Sequence, residues 1–101
     1  MKMLDRIVRF DWDTGNQRKS QDKHGVTQSE AEQVFFNVPL LVMVDPKHSE
    51  HEPRWHALGK TDQGRTLHLT FTLRDTGKAL RVISVRDMHR KERIIYEQVQ
   101  T

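Results

Sequence analysis

The chain has 101 residues, enough for one domain with a modest core. Apolar residues make up 35% and charged residues 31%, so a small core must sit beneath a heavily charged shell. Seventeen Lys and Arg against fourteen Asp and Glu give a formal charge of +3, which permits a polyanionic partner without requiring one. The longest apolar run, Leu40 to Val44, is too short to cross a membrane. Met1 to Arg6 contains no apolar signal-peptide core. The absence of cysteine excludes a disulfide framework and thiolate metal sites. A single cytoplasmic domain over residues 1–101 is expected.

In chain order, Ile7 to Trp12 is a short β-rich run ended by Asp13, a good helix N-cap. Thr14 to His24 reads as a short exposed helix closed by Gly25. Thr27 and Glu30 have capping-box spacing, and Ala31, Val34, Phe35 and Val38 then form one apolar helical face before Pro39. Leu40 to Val44 reads as a buried strand closed by Asp45-Pro46, Lys47 to Pro53 as a polar loop, and Arg54 to Lys60 as another strand. From Thr66 to Leu73, leucines and Phe71 alternate with threonines and His68, a half-buried strand. Asp75-Thr76-Gly77 makes a hairpin turn into Ala79 to Val85, a central strand with apolar residues on both faces. Asp87 is positioned to cap a last helix from Met88 to about Val99, with Ile95 and Val99 facing the core. The order predicts an α+β domain: strand, two helices, antiparallel meander, helix.

Chemistry-bearing residues concentrate in the C-terminal third, where Arg74, Lys78, Arg81, Arg86, Arg90, Lys91 and Arg93 outnumber the carboxylates. Simple alternation sets Arg81 and Arg86 on opposite faces of their strand, while His89, Arg93 and Tyr96 share a helical stripe. Guanidinium suits phosphate through its planar fork of donors, and fixed arginines can stabilise a phosphodiester transition state without a metal. The same cations would also serve as the solvated face of a terminal helix. Lys23 and His24 offer phosphate binding and proton transfer, or simply a favourable charge at a helix C-terminus. Around His48, His51 and Glu52 the histidine spacing matches no standard zinc pattern. Glu52 as a general base, with Arg54 and Trp55 touching nucleic acid, competes there with a core Trp55 and a surface Glu52–Arg54 pair. No nucleophile elbow and no glycine-rich phosphate loop occurs, so no nucleotide cofactor is expected.

In order along the chain stand Phe10-Asp11-Trp12-Asp13, Lys23-His24-Gly25-Val26, Glu30-Ala31, Phe35, Asp45-Pro-x-His48-Ser49, Glu52, Arg54-Trp55, Gly59, Arg81-Val-Ile83-Ser84-x-Arg86, Glu92-Arg93 and Tyr96-Glu97. This set resembles the BrnT family of bacterial toxins of type II toxin–antitoxin systems. The resemblance implies a RelE-like ribonuclease fold and metal-independent RNA cleavage that stops translation. It also implies neutralisation by a ribbon-helix-helix antitoxin, BrnA, in a two-plus-two complex that binds operator DNA through the antitoxin. Carried onto matching positions, it favours Lys23, His24, Glu52, Arg81, Arg86 and Tyr96 for catalysis. Arg54, Trp55, His89, Arg90 and Arg93 would contact RNA, with no metal involved. The sequence departs from the family at Ser20, usually Asn, at Thr27-Gln28, usually Ser-Phe, and at Val85, usually Ala. His89 replaces what is often a small polar residue. The competing reading is a non-catalytic module whose basic face docks an antitoxin or nucleic acid.

Overall fold

A computed structural model describes residues 2–13, 15, 23–48 and 51–100. A short helix, α1 (Lys2–Asp5), precedes strand β1 (Arg9–Asp11). Helix α2 (Gln28–Gln33) continues into a 3-10 turn (Val34–Phe36). Strands β2 (Leu41–Val44), β3 (Trp55–Lys60), β4 (Thr66–Arg74) and β5 (Ala79–Asp87) follow, and helix α3 (Arg90–Gln100) ends the order. Apart from Gly15, Lys23 and His24, which are helical, the helix expected from Thr14 to His24 lies outside the described residues, as does Ser20.

The strands form one sheet in the order β1-β5-β4-β3-β2. β2 to β5 are the antiparallel meander expected from the sequence, and β1 adds to its edge parallel to β5, with Phe10 beside Leu80. The fold is therefore α+β with a mostly antiparallel sheet, preceded by the additional helix α1.

Alternation along the strands divides the sheet into two unlike faces. Leu67, Leu69 and Phe71 of β4, Ala57 of β3, and Val82 and Val85 of β5 share one face, which Val26, Ala31 and Val34 cover to make the main core. Close approach of the 3-10 turn requires Gly59: a Cβ there would lie 2.5 Å from Val34 Cγ1. The opposite face carries His56, His68, Thr70, Thr72, Ser84, Arg81 and Arg86 by register. Helix α3 covers one end of it, where Tyr96, Met88 and Leu58 form a second small core against Leu41.

Several sequence expectations are corrected. The capping box at Thr27 is present, with Glu30 N–H donating to Thr27 Oγ1 and Thr27 N–H to Glu30 Oε1. The α-helical period stops at Gln33, however, and the tighter 3-10 turn rotates Val38 off the core face, leaving it 80% exposed. β2 is an edge strand, so Met43 and Val44 are exposed rather than buried. Asp87 ends β5, and α3 starts later than expected. His89 precedes its first turn, and the His89 N–H donates to Glu92 Oε1, the reaching-back half of a capping box. Tyr96 takes the inward position of α3; at about 100° per residue this turns Ile95 outward, and Ile95 and Val99 are both about half exposed.

Candidate active site

The open sheet face gathers polar side chains because a bulge alters the alternation in β5. Thr70 pairs with Ser84 but Phe71 with Val82, so Ile83 is the extra residue. Five positions apart, Arg81 and Arg86 would otherwise point to opposite faces. The bulge turns both to the open side, opposite Thr72 and His68. Arg81 donates to Asp11 Oδ2 at 3.4 Å and to Asp13. Arg86 makes a two-pronged pair with Glu92, at 2.8 and 3.0 Å. That pairing, with the His89 N–H bond, holds the Glu92 carboxyl down to about 2 despite its partial burial.

Two imidazoles lie at the centre of this face, His56 and His68, with ring centroids 5.0 Å apart. Burial, reinforced by the nearby Arg86 charge, lowers His68 to about 4, so it is neutral at pH 7. His56 is held at both ring nitrogens, Nδ1 by Thr70 Oγ1 at 3.0 Å and Nε2 by Asp45 Oδ2 at 3.1 Å. Asp45 is 4% exposed. Its Oδ1 accepts from the N–H groups of Lys47 and His48, while His48 Nδ1 lies 3.1 Å from Oδ2. Burial pushes the Asp45 carboxyl up, but the bond from His48 and the neighbouring imidazole charges outweigh it and leave it below its ordinary value.

Beside this network opens a cleft of about 380 Å³ lined by Lys47, His48, His51, Glu52 and Arg54. A 3-10 turn (Pro46–His48) places Lys47 and His48 at its wall. Across the strands Glu52 pairs with Arg74 at 3.1 Å, and Thr72 Oγ1 donates to the Pro53 carbonyl at 2.7 Å. The loop that bears the cleft is thereby tied to the open face.

Not all the residues singled out in the sequence join this arrangement. Lys23 and His24 sit at the far end of β5. There Arg65 donates to the carbonyls of His24 and Gly25 while pairing with Glu30 and Asp87. Asp87 is six positions from Arg81 along β5, roughly 20 Å at strand rise. Trp55 stacks on Phe71, centroids 5.7 Å apart, and packs against the main core while staying partly exposed. Tyr96 is fully buried, its hydroxyl donating to the Pro39 carbonyl at 2.6 Å, so it can neither stack on a base nor exchange a proton with a substrate. Burial raises its pKa, as expected for a phenol kept neutral. His89 and Arg90 are exposed at the start of α3, and Arg93 Nη1 donates to the Met88 carbonyl at 2.8 Å. Among the described residues no group of three or more His, Cys, Asp or Glu is placed to hold a metal ion.

Sequence reasoning gave no role at the site to Asp45, His56, His68 or Arg74, although Arg74 counts among the C-terminal cations and Asp45 belongs to the ordered motif set. Asp45-Pro46 carries a turn signal, and that signal hides a buried carboxylate. His56 and His68 are twelve residues apart, and only the β3–β4 register makes them neighbours.

The family described as the ribonuclease toxin BrnT of type II toxin–antitoxin systems matches over residues 12–92. No curated protein matches the chain. Among solved structures, the 1.1 Å crystal structure of the Brucella abortus ribonuclease toxin BrnT is similar in fold. It has a TM-score of 0.61 and 21% identity, covering 82% of this chain and 99% of that one.

Proposed function

The chain belongs to the BrnT family of ribonuclease toxins of type II toxin–antitoxin systems, and we propose that it is an endoribonuclease that cuts RNA on the open face of its sheet. The carrying observation is the cleft that brings Lys47, His48, His51, Glu52 and Arg54 together beside the face bearing Arg74, Arg81 and Arg86. In this reading the 2′-hydroxyl of the RNA attacks the adjacent phosphorus. Arg54 in the cleft and Arg81 on the open face stabilise the added negative charge, so no metal ion is required. Arg86 extends the basic path toward α3, where His89, Arg90 and Arg93 would contact flanking nucleotides. Lys23 and His24, at the other end of β5, would act on a remote part of the RNA rather than at the scissile bond.

The frame would be RelE-like, and cleavage would stop translation in the cytoplasm. A BrnA-like ribbon-helix-helix antitoxin would neutralise the toxin in a two-plus-two complex that binds operator DNA through the antitoxin. The carboxylates facing Arg81 and Arg86 favour one competing view, in which these arginines are structural and the face serves only for docking.

Turnover separates the two. Purified chain in excess EDTA is expected to cut total RNA, or ribosome-bound message, at discrete positions, leaving 2′,3′-cyclic phosphate ends. Arg54→Ala and the Arg81→Ala/Arg86→Ala pair should each lose cleavage while remaining folded. Intact RNA from folded wild type, with and without ribosomes, would reject the enzyme.

A further inference from the structure

We infer that His48 is the general base of the cleft and that Asp45 is its positioning residue. This inference rests on the ribonuclease reading and assigns that site's proton acceptor. Asp45 is almost fully buried, yet its Oδ1 takes two backbone N–H groups from the turn that carries His48. The carboxylate is thus fixed rigidly to the segment it orients. An ionised carboxylate only accepts hydrogen bonds, so the 3.1 Å contact between Asp45 Oδ2 and His48 Nδ1 places the proton on Nδ1. The lone pair of the neutral ring is therefore on Nε2, at the exposed end of a side chain that is 59% accessible and lines the cleft.

This is how a carboxylate prepares an imidazole for proton abstraction: it fixes tautomer and orientation, then stabilises the cation that forms. The other imidazole on Asp45 lacks this freedom, because His56 is engaged at both nitrogens. The Asp45 carboxyl is held below its ordinary value, so it is ionised at neutral pH. Lys47, His51, Glu52 and Arg54 share the cleft with His48. The cations can hold a phosphate beside it, and Glu52 is drawn away toward Arg74.

In the proposed step, His48 Nε2 takes the proton of the 2′-hydroxyl. The oxygen's electron pair forms the new bond to phosphorus, and the bond from phosphorus to the 5′ oxygen breaks. That oxygen leaves with the bonding pair and is protonated by water. The products are a 2′,3′-cyclic phosphate and a 5′-hydroxyl, and His48 returns its proton to solvent.

The test measures single-turnover cleavage of an oligoribonucleotide or of ribosome-bound message by wild type, His48→Ala and His48→Gln. Removing a general base is expected to slow cleavage by about 100-fold or more, with little change in RNA affinity. Added imidazole should restore part of the His48→Ala rate and leave wild type unchanged. His48→Gln can still donate to Asp45 but cannot accept the proton, so it should stay slow. Wild-type rates in His48→Ala, or full recovery in His48→Gln, would overturn the assignment while leaving the ribonuclease reading intact. Failure of wild type itself on both substrates would remove both. His48→Ala takes a hydrogen-bond partner from the buried Asp45 carboxylate and should lower the unfolding midpoint modestly, so rates are compared per folded molecule. His48→Gln, which can still donate to Asp45, should stay closer to wild type.

Discussion

At the scale of single residues, chemistry and packing compete for the same side-chain types, and burial decides between them. Tyr96 resembles a catalytic phenol in sequence, on a stripe with His89 and Arg93, yet its hydroxyl is spent on the Pro39 carbonyl inside the second core. Tyr96→Phe keeps the ring and removes one hydrogen bond from a buried carbonyl. It should lower stability by about 1–2 kcal/mol, read as a shift in the denaturant midpoint. RNA cleavage per folded molecule should be unchanged, and a large loss of cleavage would return Tyr96 to the site. Trp55 is the intermediate case, stacked on Phe71 yet still partly exposed. Neither fate is legible from residue type. An aromatic next to an arginine, or a phenol near a histidine, reads alike whether it faces solvent or core.

At the scale of elements, the sequence was most informative where periodicity is strict. The alternation of Thr66 to Leu73 and the Thr27–Glu30 capping box both specify elements that form. It was least informative where one residue breaks the period. The extra Ile83 in β5 carries no turn residue and no glycine to announce it, yet it changes which face Arg81 and Arg86 share. The sharing of one face by Arg81 and Arg86 therefore depends on a pairing irregularity that alternation cannot reveal. The His56–His68 contact likewise depends on register. The helix-on-sheet contact at Gly59 offers a direct test of packing. An added methyl would clash with Val34 Cγ1, while Leu40 Cδ1 and the Val34 carbonyl would lie at ordinary contact distance. Overpacking of a site whose neighbour Val34 is fully buried should cost about 1–3 kcal/mol. Denaturation of Gly59→Ala beside Gly59→Ala/Val34→Ala checks this. The second substitution makes room, so the pair should cost less than the sum of the single changes. Additive losses would mean that the turn moves away freely.

At the scale of the whole molecule, the perturbed groups make acid the condition to which the fold is sensitive. Folded His68 ionises near 4, against 6.5 for the unperturbed group. Between those values the unfolded chain binds the proton that the folded chain refuses, so stability falls as pH drops from about 6.5 toward 4. The effect amounts to about 2 kcal/mol by pH 5, on the order of 10 °C in unfolding temperature for a domain of this size. The carboxylates act in the same direction at lower pH. Glu92 near 2, together with lowered Asp45, Asp87 and Glu30, supports the fold while ionised and loses that support as each protonates. Their contribution begins only near the ordinary carboxyl range. A thermal-unfolding series from pH 7.5 to 5 therefore isolates the histidine, and His68→Gln should flatten it while keeping a polar group beside Glu92. A wild-type slope that survives in His68→Gln would place the acid sensitivity elsewhere. The inner imidazole of the open face is then best understood as a group that the folded sheet keeps neutral. Proton acceptance is left to the exposed His48 at the cleft.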